Sequence, residues 1–235
     1  MHRIVETARD FLREHADARV RESTRQFFKE DILVHGVKAA QVKRAAGQVW
    51  AAVRKRPKRD VFDLCDLFWE SGYMEEGGIA CELAYRARGL YTPDDLALFD
   101  RWLDVHVRNW AHCDMLCTRS VGAFIGMYPD SAARVRAWAD SGNRWKKRAA
   151  AVSFIPLAKE DAFRREIYAV ADTLLGDQDD MVRKGYGWAL KVAGGADPET
   201  VFAFLMERRS VMPRTAFWYA LEKLPPAMRV EAMKK

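Results

Sequence analysis

The chain has 235 residues, of which 49% are hydrophobic and 31% charged, a composition that folds and that excludes an intrinsically disordered chain. Its formal net charge of +6 suits a polyanionic partner, although ordinary enzymes also reach that value. The first ten residues, Met1-His2-Arg3-Ile4-Val5-Glu6-Thr7-Ala8-Arg9-Asp10, lead into no apolar stretch, and no window approaches the length of a membrane span. Cys65, Cys81, Cys113 and Cys117 are too few and too scattered for a disulfide scaffold, so a reducing cytoplasm is the expected location.

Along the chain the signals are those of helices. Thr92-Pro93-Asp94-Asp95 reads as an N-cap, a first-turn proline and an acid ahead of Leu96-Ala97-Leu98-Phe99. Tyr128-Pro129-Asp130-Ser131 separates two further helical runs, and Asn143 can cap the helix that follows it. Gly176-Asp177-Gln178-Asp179-Asp180 reads as a turn feeding a helix that ends at Gly194-Gly195. Asp197-Pro198-Glu199-Thr200 repeats the capping logic before Val201-Phe202-Ala203-Phe204-Leu205. Apolar residues recur at three and four, as in Val121, Phe124, Ile125 and Tyr128, and alternating strand patterns are nearly absent. About twelve to fourteen helices of roughly 10–18 residues are expected, joined by short turns.

Many short helices on short turns imply paired helices stacked in layers. Trp110, Arg148 and Trp188 lie 38 and 40 residues apart in helices of similar character. That spacing is close to the HEAT-type period of about 40–47 residues. The fold class expected is therefore all-α, a curved solenoid of HEAT-like antiparallel helix pairs (an α-α superhelix), with residues 1–235 as a single repeat domain.

Three segments carry side chains suited to binding or chemistry. In Asn109-Trp110-Ala111-His112-Cys113-Asp114 an aromatic plane and a carboxylate share a helix face, which fits a site or a half-buried Trp beside a surface acid. Arg144-Trp145-Lys146-Lys147-Arg148 clusters cations in the first turns of a helix, where they oppose its dipole. An anion bound there would relieve that cost; a solvated basic surface is the plainer reading. In Arg183-Lys184-Gly185-Tyr186-Gly187-Trp188, two glycines inside a helix cost roughly 1 kcal/mol each relative to alanine. Close approach by a backbone, a ligand or a neighbouring helix would offset it. If these segments occupy matching places in successive repeats, Trp110, Asp114, Arg148, Lys184 and Trp188 line one concave face. Its cations would suit phosphates and its rings sugars or bases. His112, Cys113 and Cys117 lack the paired spacing of a zinc site, and the basic run Arg54 to Arg59 crosses a helix end. No metal or cofactor is expected; phosphate-cradling glycine loops, dinucleotide fingerprints and nucleophile elbows are missing.

In this order and spacing, Trp110-x-x-x-Asp114, Arg148-Ala149-Ala150 after a basic turn, and Lys184-Gly185-Tyr186-Gly187-Trp188 resemble the AlkD-like DNA alkylation-repair glycosylases. The stretch from Phe27 to Lys38, with His35-Gly36-Val37, is similar to that family's first repeats, and the resemblance covers roughly residues 1–225. It implies a stack of HEAT-like repeats gripping duplex DNA, acting as a monomer without a base-flipping pocket, on N3-alkyladenine and N7-alkylguanine. It implies Asp114 as the catalytic carboxylate, with Trp110 and Trp188 against the backbone and deoxyribose of the damaged nucleotide. Arg148, Lys184, Arg144, Lys147, Lys38 and Phe27 would hold the DNA. The best-known members have two consecutive Trp where this chain has Asn109-Trp110, and Tyr and Gln where it has Phe27 and Lys38. A single carboxylate suits the chemistry, because a purine alkylated at N3 or N7 departs as a neutral base and leaves oxocarbenium character on the sugar. Two other readings stay open on sequence: a non-catalytic binder of damaged or branched DNA, and a protein-binding helical array.

Overall fold

The computed structural model describes residues Met1–Lys234. Regular structure among them is helical apart from one bridge pairing Leu33 with Tyr73. The α-helices are α1 (His2–Glu14), α2 (Ala18–Phe27), α3 (Ala39–Val53), α4 (Lys58–Trp69), α5 (Met74–Arg86), α6 (Asp95–Val105), α7 (Trp110–Met115) and α8 (Gly122–Met127). They continue with α9 (Ala132–Arg136), α10 (Arg144–Val152), α11 (Asp161–Thr173), α12 (Asp180–Gly194), α13 (Pro198–Glu207), α14 (Arg214–Leu221) and α15 (Pro226–Met233). A π-helical turn, Leu116–Val121, joins α7 to α8 without a break.

Packing divides the chain into two compact units. The first comprises Met1–Asp95 with Val105–Leu116, and the second Leu96–Asp104 with the chain from Cys117 onward. In the first unit α3, α5 and α7 lie side by side, with α1 packed on α3 and α4 on α5. In the second unit α10, α12 and α14 form an equivalent row, backed by α9, α11 and α13. These are the stacked helix pairs expected. Their period differs from the expected one. The row helices start at residues 39, 74, 110, 144, 180 and 214, a repeat of 34–36 residues. Trp110 is the first residue of α7, Arg148 the fifth of α10 and Trp188 the ninth of α12. Each marker therefore stands one helical turn later than the last, and the 38- and 40-residue spacings contain that extra turn.

Side-chain caps account for several helix starts. The Asn143 side chain accepts from the Trp145 N–H (2.9 Å), Asp179 from Met181 (2.8 Å) and Val182 (3.2 Å), and Asp197 from Thr200 (3.1 Å). The Thr92 cap is reversed: the Asp95 carboxylate accepts the Thr92 N–H at 2.7 Å, the reciprocal half of a capping box. The two glycines of α12 are explained by packing. A Cβ on Gly187 would stand 2.9 Å from the Ala216 carbonyl oxygen of α14, and one on Gly185 would stand 3.0 Å from Cγ of Arg148.

One non-helical stretch positions an aromatic side chain near α7. Residues 28–38 form a strap between α2 and α3, and it is tied down by α5. The Glu75 carboxylate is 5% exposed and accepts three consecutive backbone N–H groups, from His35 (2.9 Å), Gly36 (2.8 Å) and Val37 (3.0 Å). Gly36 has φ +88°, and a side chain there would also collide with the Asp17 carbonyl at 2.6 Å. Beside it, His35 stacks on Tyr73 (3.9 Å between ring centroids, 12°) and donates Nε2–H to Glu76 at 3.0 Å. Arg9 donates to the other Glu76 oxygen at 3.0 Å. Burial pushes the Glu76 carboxyl up, but the hydrogen bonds from His35 and Arg9 outweigh it and leave the group below its ordinary 4.5.

The start of α7 is held in the same manner. The Asn109 side-chain oxygen accepts the His112 N–H at 2.9 Å, and the buried His112 ring donates Nε2–H to the Met74 carbonyl at 2.8 Å. Burial pulls the His112 pKa below its ordinary 6.5, with Met74 and Glu75 pulling weakly the other way.

Removing the Glu75 carboxylate would leave three buried donors without an acceptor, at about 1–3 kcal/mol each. Glu75→Ala is therefore expected to lower stability by more than about 2 kcal/mol in urea unfolding, and Glu75→Gln by less, because one carbonyl oxygen survives. Equal midpoints for wild type and Glu75→Ala would contradict the assignment. Acidification is expected to destabilise the fold in two stages. Below pH 6.5 the unfolded chain protonates at His112 before the folded protein does, so that contribution fades from there down to the lower folded value. The Glu76 contribution is complete above 4.5 and is lost as pH falls through its lowered folded value. The melting temperature should fall between about pH 7.5 and 5.5, and His112→Gln should flatten that slope. An unchanged slope in the variant would remove His112 from the account.

Candidate functional site

In the first unit the strap delivers an aromatic cluster. Phe27, the last residue of α2, is 69% exposed. Its ring meets Trp110 edge-on at 5.8 Å and 65°, while Phe28 stacks on the same indole at 5.4 Å and 20°. The two phenylalanines are themselves T-shaped at 5.6 Å. Helix α2 buries none of its residues, so it contributes nothing to the core. The Asp17 N–H donates to the Gly36 carbonyl (2.9 Å) and the Arg21 guanidinium to the His35 carbonyl (3.2 and 3.0 Å), and these bonds fix it to the strap. The half-buried Trp110 opens α7, and the half-buried Asp114 follows one turn later on the same face. The π-helical turn begins two residues beyond Asp114, a distortion that recurs at functional sites. Lys38 is exposed at the N-terminus of α3, next to the Val37 amide that Glu75 holds.

In the second unit Arg148 is buried, and its stem lies over Gly185. Its Nη1 donates to the Met181 carbonyl at 2.6 Å, so the side chain joins α10 to α12. The cations expected to attract an external anion have carboxylates of the chain itself. Arg144 pairs with Asp179 (3.0 Å) and lies 4.5 Å over the Trp145 ring; Lys147 pairs with Asp177 (2.7 Å) and Lys184 with Asp180 (2.7 Å). Burial raises the Asp177 carboxyl, but the Lys147 hydrogen bond, the Asp179 amide and nearby cations bring it below the usual range. The dipole cost of basic residues in the first turns of α10 is thus offset by the acidic turn 177–180. Trp188 stands half-buried one turn beyond Lys184 on α12.

The structure brings together Phe27, Trp110 and Asp114 in one unit, and Arg148, Lys184 and the α12 turn bearing Trp188 in the other. The sequence reading singled out neither Phe28 nor Glu75, and it took Asp177, Asp179 and Asp180 as a turn and not as counter-ions. Phe28 had a signal, as one of an adjacent aromatic pair. Glu75 had only its place in Glu75-Glu76-Gly77-Gly78, acids abutting small residues in a helix that proves buried for ten consecutive positions.

Residues 8–224 match the family described as DNA alkylation repair enzyme. A solved structure described as a predicted DNA alkylation repair enzyme from Enterococcus faecalis is similar in fold, with a TM-score of 0.82 at 15% identity, covering 90% of this chain and 98% of that one. No curated protein matches the sequence. The all-helical architecture and the match over nearly the whole length agree, and the chain belongs to the DNA alkylation repair enzyme family.

Proposed function

We propose that this protein is a DNA glycosylase that removes positively charged N3- and N7-alkylpurines from duplex DNA. Asp114 is its catalytic carboxylate. The observation that carries this reading is the placement of Asp114 one turn beyond Trp110 on the same face of α7, the indole being backed by Phe28 and flanked by the exposed Phe27.

The chemistry asks little of the protein. The alkylated purine already carries the positive charge that makes it a leaving group, so the glycosidic bond breaks without a general acid and the base departs neutral. Positive charge then develops on the sugar at C1′ and its ring oxygen. A carboxylate fixed nearby stabilises that charge more than it stabilises the ground state, and it can orient the water that adds to C1′. The paired acid and base of ordinary glycoside hydrolysis are not required. The faces of Trp110 and Trp188 add cation–π attraction, about 0.5–2 kcal/mol each according to desolvation. Phe27, Lys38, Arg144, Lys147, Arg148 and Lys184 would hold the duplex. The ion pairs within the second unit support a positioning role for its cations, with Arg148 held in place by α12 itself.

The test is release of 7-methylguanine and 3-methyladenine from methylated duplex DNA. Wild type should release both. Asp114→Asn should slow release about 100-fold or more while retaining DNA affinity, as expected when a group acts on developing charge. Equal rates for wild type and variant would remove Asp114 from the mechanism. Binding by wild type without any release would assign the chain to the non-catalytic reading.

A further inference from the structure

The row of helices in the second unit does not stop at α12. Its next member, α14, packs beside α12 through Gly187 against Ala216 and Tyr219. On α12 the buried flank is Val182, Tyr186, Ala189 and Ala193, and Lys184 and Trp188 stand on the opposite side at the fifth and ninth positions. On α14 the buried Ala216 and Ala220 form one flank, which leaves Arg214 and Trp218 on the opposite one at the first and fifth positions, with the buried Leu221 one turn beyond Trp218 on that same side. The first and fifth positions are those that Arg144 and Arg148 hold on α10 and that Trp110 and Asp114 hold on α7.

Trp218 is 42% exposed and is the one exposed member of the eight tryptophans, all of which lie among the described residues. It walls a groove of about 530 Å³ with Leu221, Pro226, Arg229, Val230 and Met233, and the ion-paired Glu222 and Lys234 stand at the same groove. Arg214 lies 6.0 Å over its indole, and neither Arg214 nor Arg229 has a carboxylate partner among the described residues. The acids at this end are already engaged, Glu222 by Lys191 and Glu231 by Lys234. An exposed indole between two uncompensated guanidiniums is complementary to one chemical pattern, the alternation of sugar and phosphate along a nucleic-acid strand.

The geometry points to a DNA-backbone subsite on α14 and α15, in which Arg214 and Arg229 take phosphates and the Trp218 face takes the intervening deoxyribose. It lies one repeat beyond the helix bearing Lys184 and Trp188, and it rests on the reading of DNA as the partner. The subsite is not part of the chemistry, so it acts on affinity and not on bond cleavage.

The test uses the full chain, with Trp218→Ala and the double variant Arg214→Gln/Arg229→Gln, each checked for unchanged helical circular dichroism. Duplex affinity is measured over a range of salt, base release at saturating enzyme, and oligomeric state by sedimentation. The expected result is affinity about three- to tenfold weaker in each variant, a salt dependence shallower by about one charge per arginine removed, and unchanged release at saturation. Wild-type affinity and salt slope in both variants would overturn the subsite while leaving the glycosylase reading intact. Loss of a dimer on Trp218→Ala with DNA affinity unchanged would also overturn it and assign the groove to a second copy. A wild type that fails to bind duplex DNA would instead sink the reading on which the subsite rests.

Discussion

A single buried carboxylate organises the first unit. Glu75 accepts three successive amides of the strap, and those amides converge only because Gly36 adopts a positive φ that other residues resist. Burying a charge is costly unless its oxygens are fully hydrogen-bonded, and here both are. The loss on truncation, about 1–3 kcal/mol for each stranded donor, is a large share of a typical stability of about 5–15 kcal/mol. The strap in turn carries α2, a helix with no buried residue that could not hold its place by packing. The Phe27–Phe28–Trp110 cluster is therefore supported by a polar interaction formed with α5, within the same unit.

The second unit solves a different problem with charge. Arg144, Lys147 and Lys184 are matched by acids of the turn 177–180, and Arg148 is committed to the α10–α12 joint. The formal charge of +6 already nets out such pairs, so these residues add little to what the chain offers an external anion. The cations left uncompensated stand elsewhere, notably Arg214 and Arg229 beside the exposed Trp218. Internal pairing fixes the geometry of side chains whose flexibility would otherwise blur a binding surface, whereas the unpaired arginines supply electrostatic attraction.

Short-range features were readable from sequence, and long-range ones were not. The caps at Asn143, Asp179 and Asp197 act over two or three residues, so local pattern reveals them. The placement of Trp110 and Asp114 on one helix face is likewise a consequence of helical spacing. The repeat length was misjudged because its markers drift by one turn per helix, from the first position to the fifth to the ninth. The counter-ions of α10 lie about thirty residues downstream, and the amides that Glu75 binds lie 38–40 residues upstream, separations at which composition and periodicity carry no information. The glycines of α12 signalled close approach correctly, but only coordinates show that the approaching groups are Arg148 and α14.

The central chemical claim is that the charge on the damaged base, and not an acid supplied by the protein, makes it leave. It is tested most directly by single-turnover release from two otherwise identical duplexes, one carrying 7-methylguanine and the other the neutral lesion hypoxanthine. The account predicts rapid loss of the cationic base and no release of the neutral one above the spontaneous rate. Comparable release of both would contradict it, because a neutral purine leaves only when some group of the protein protonates it.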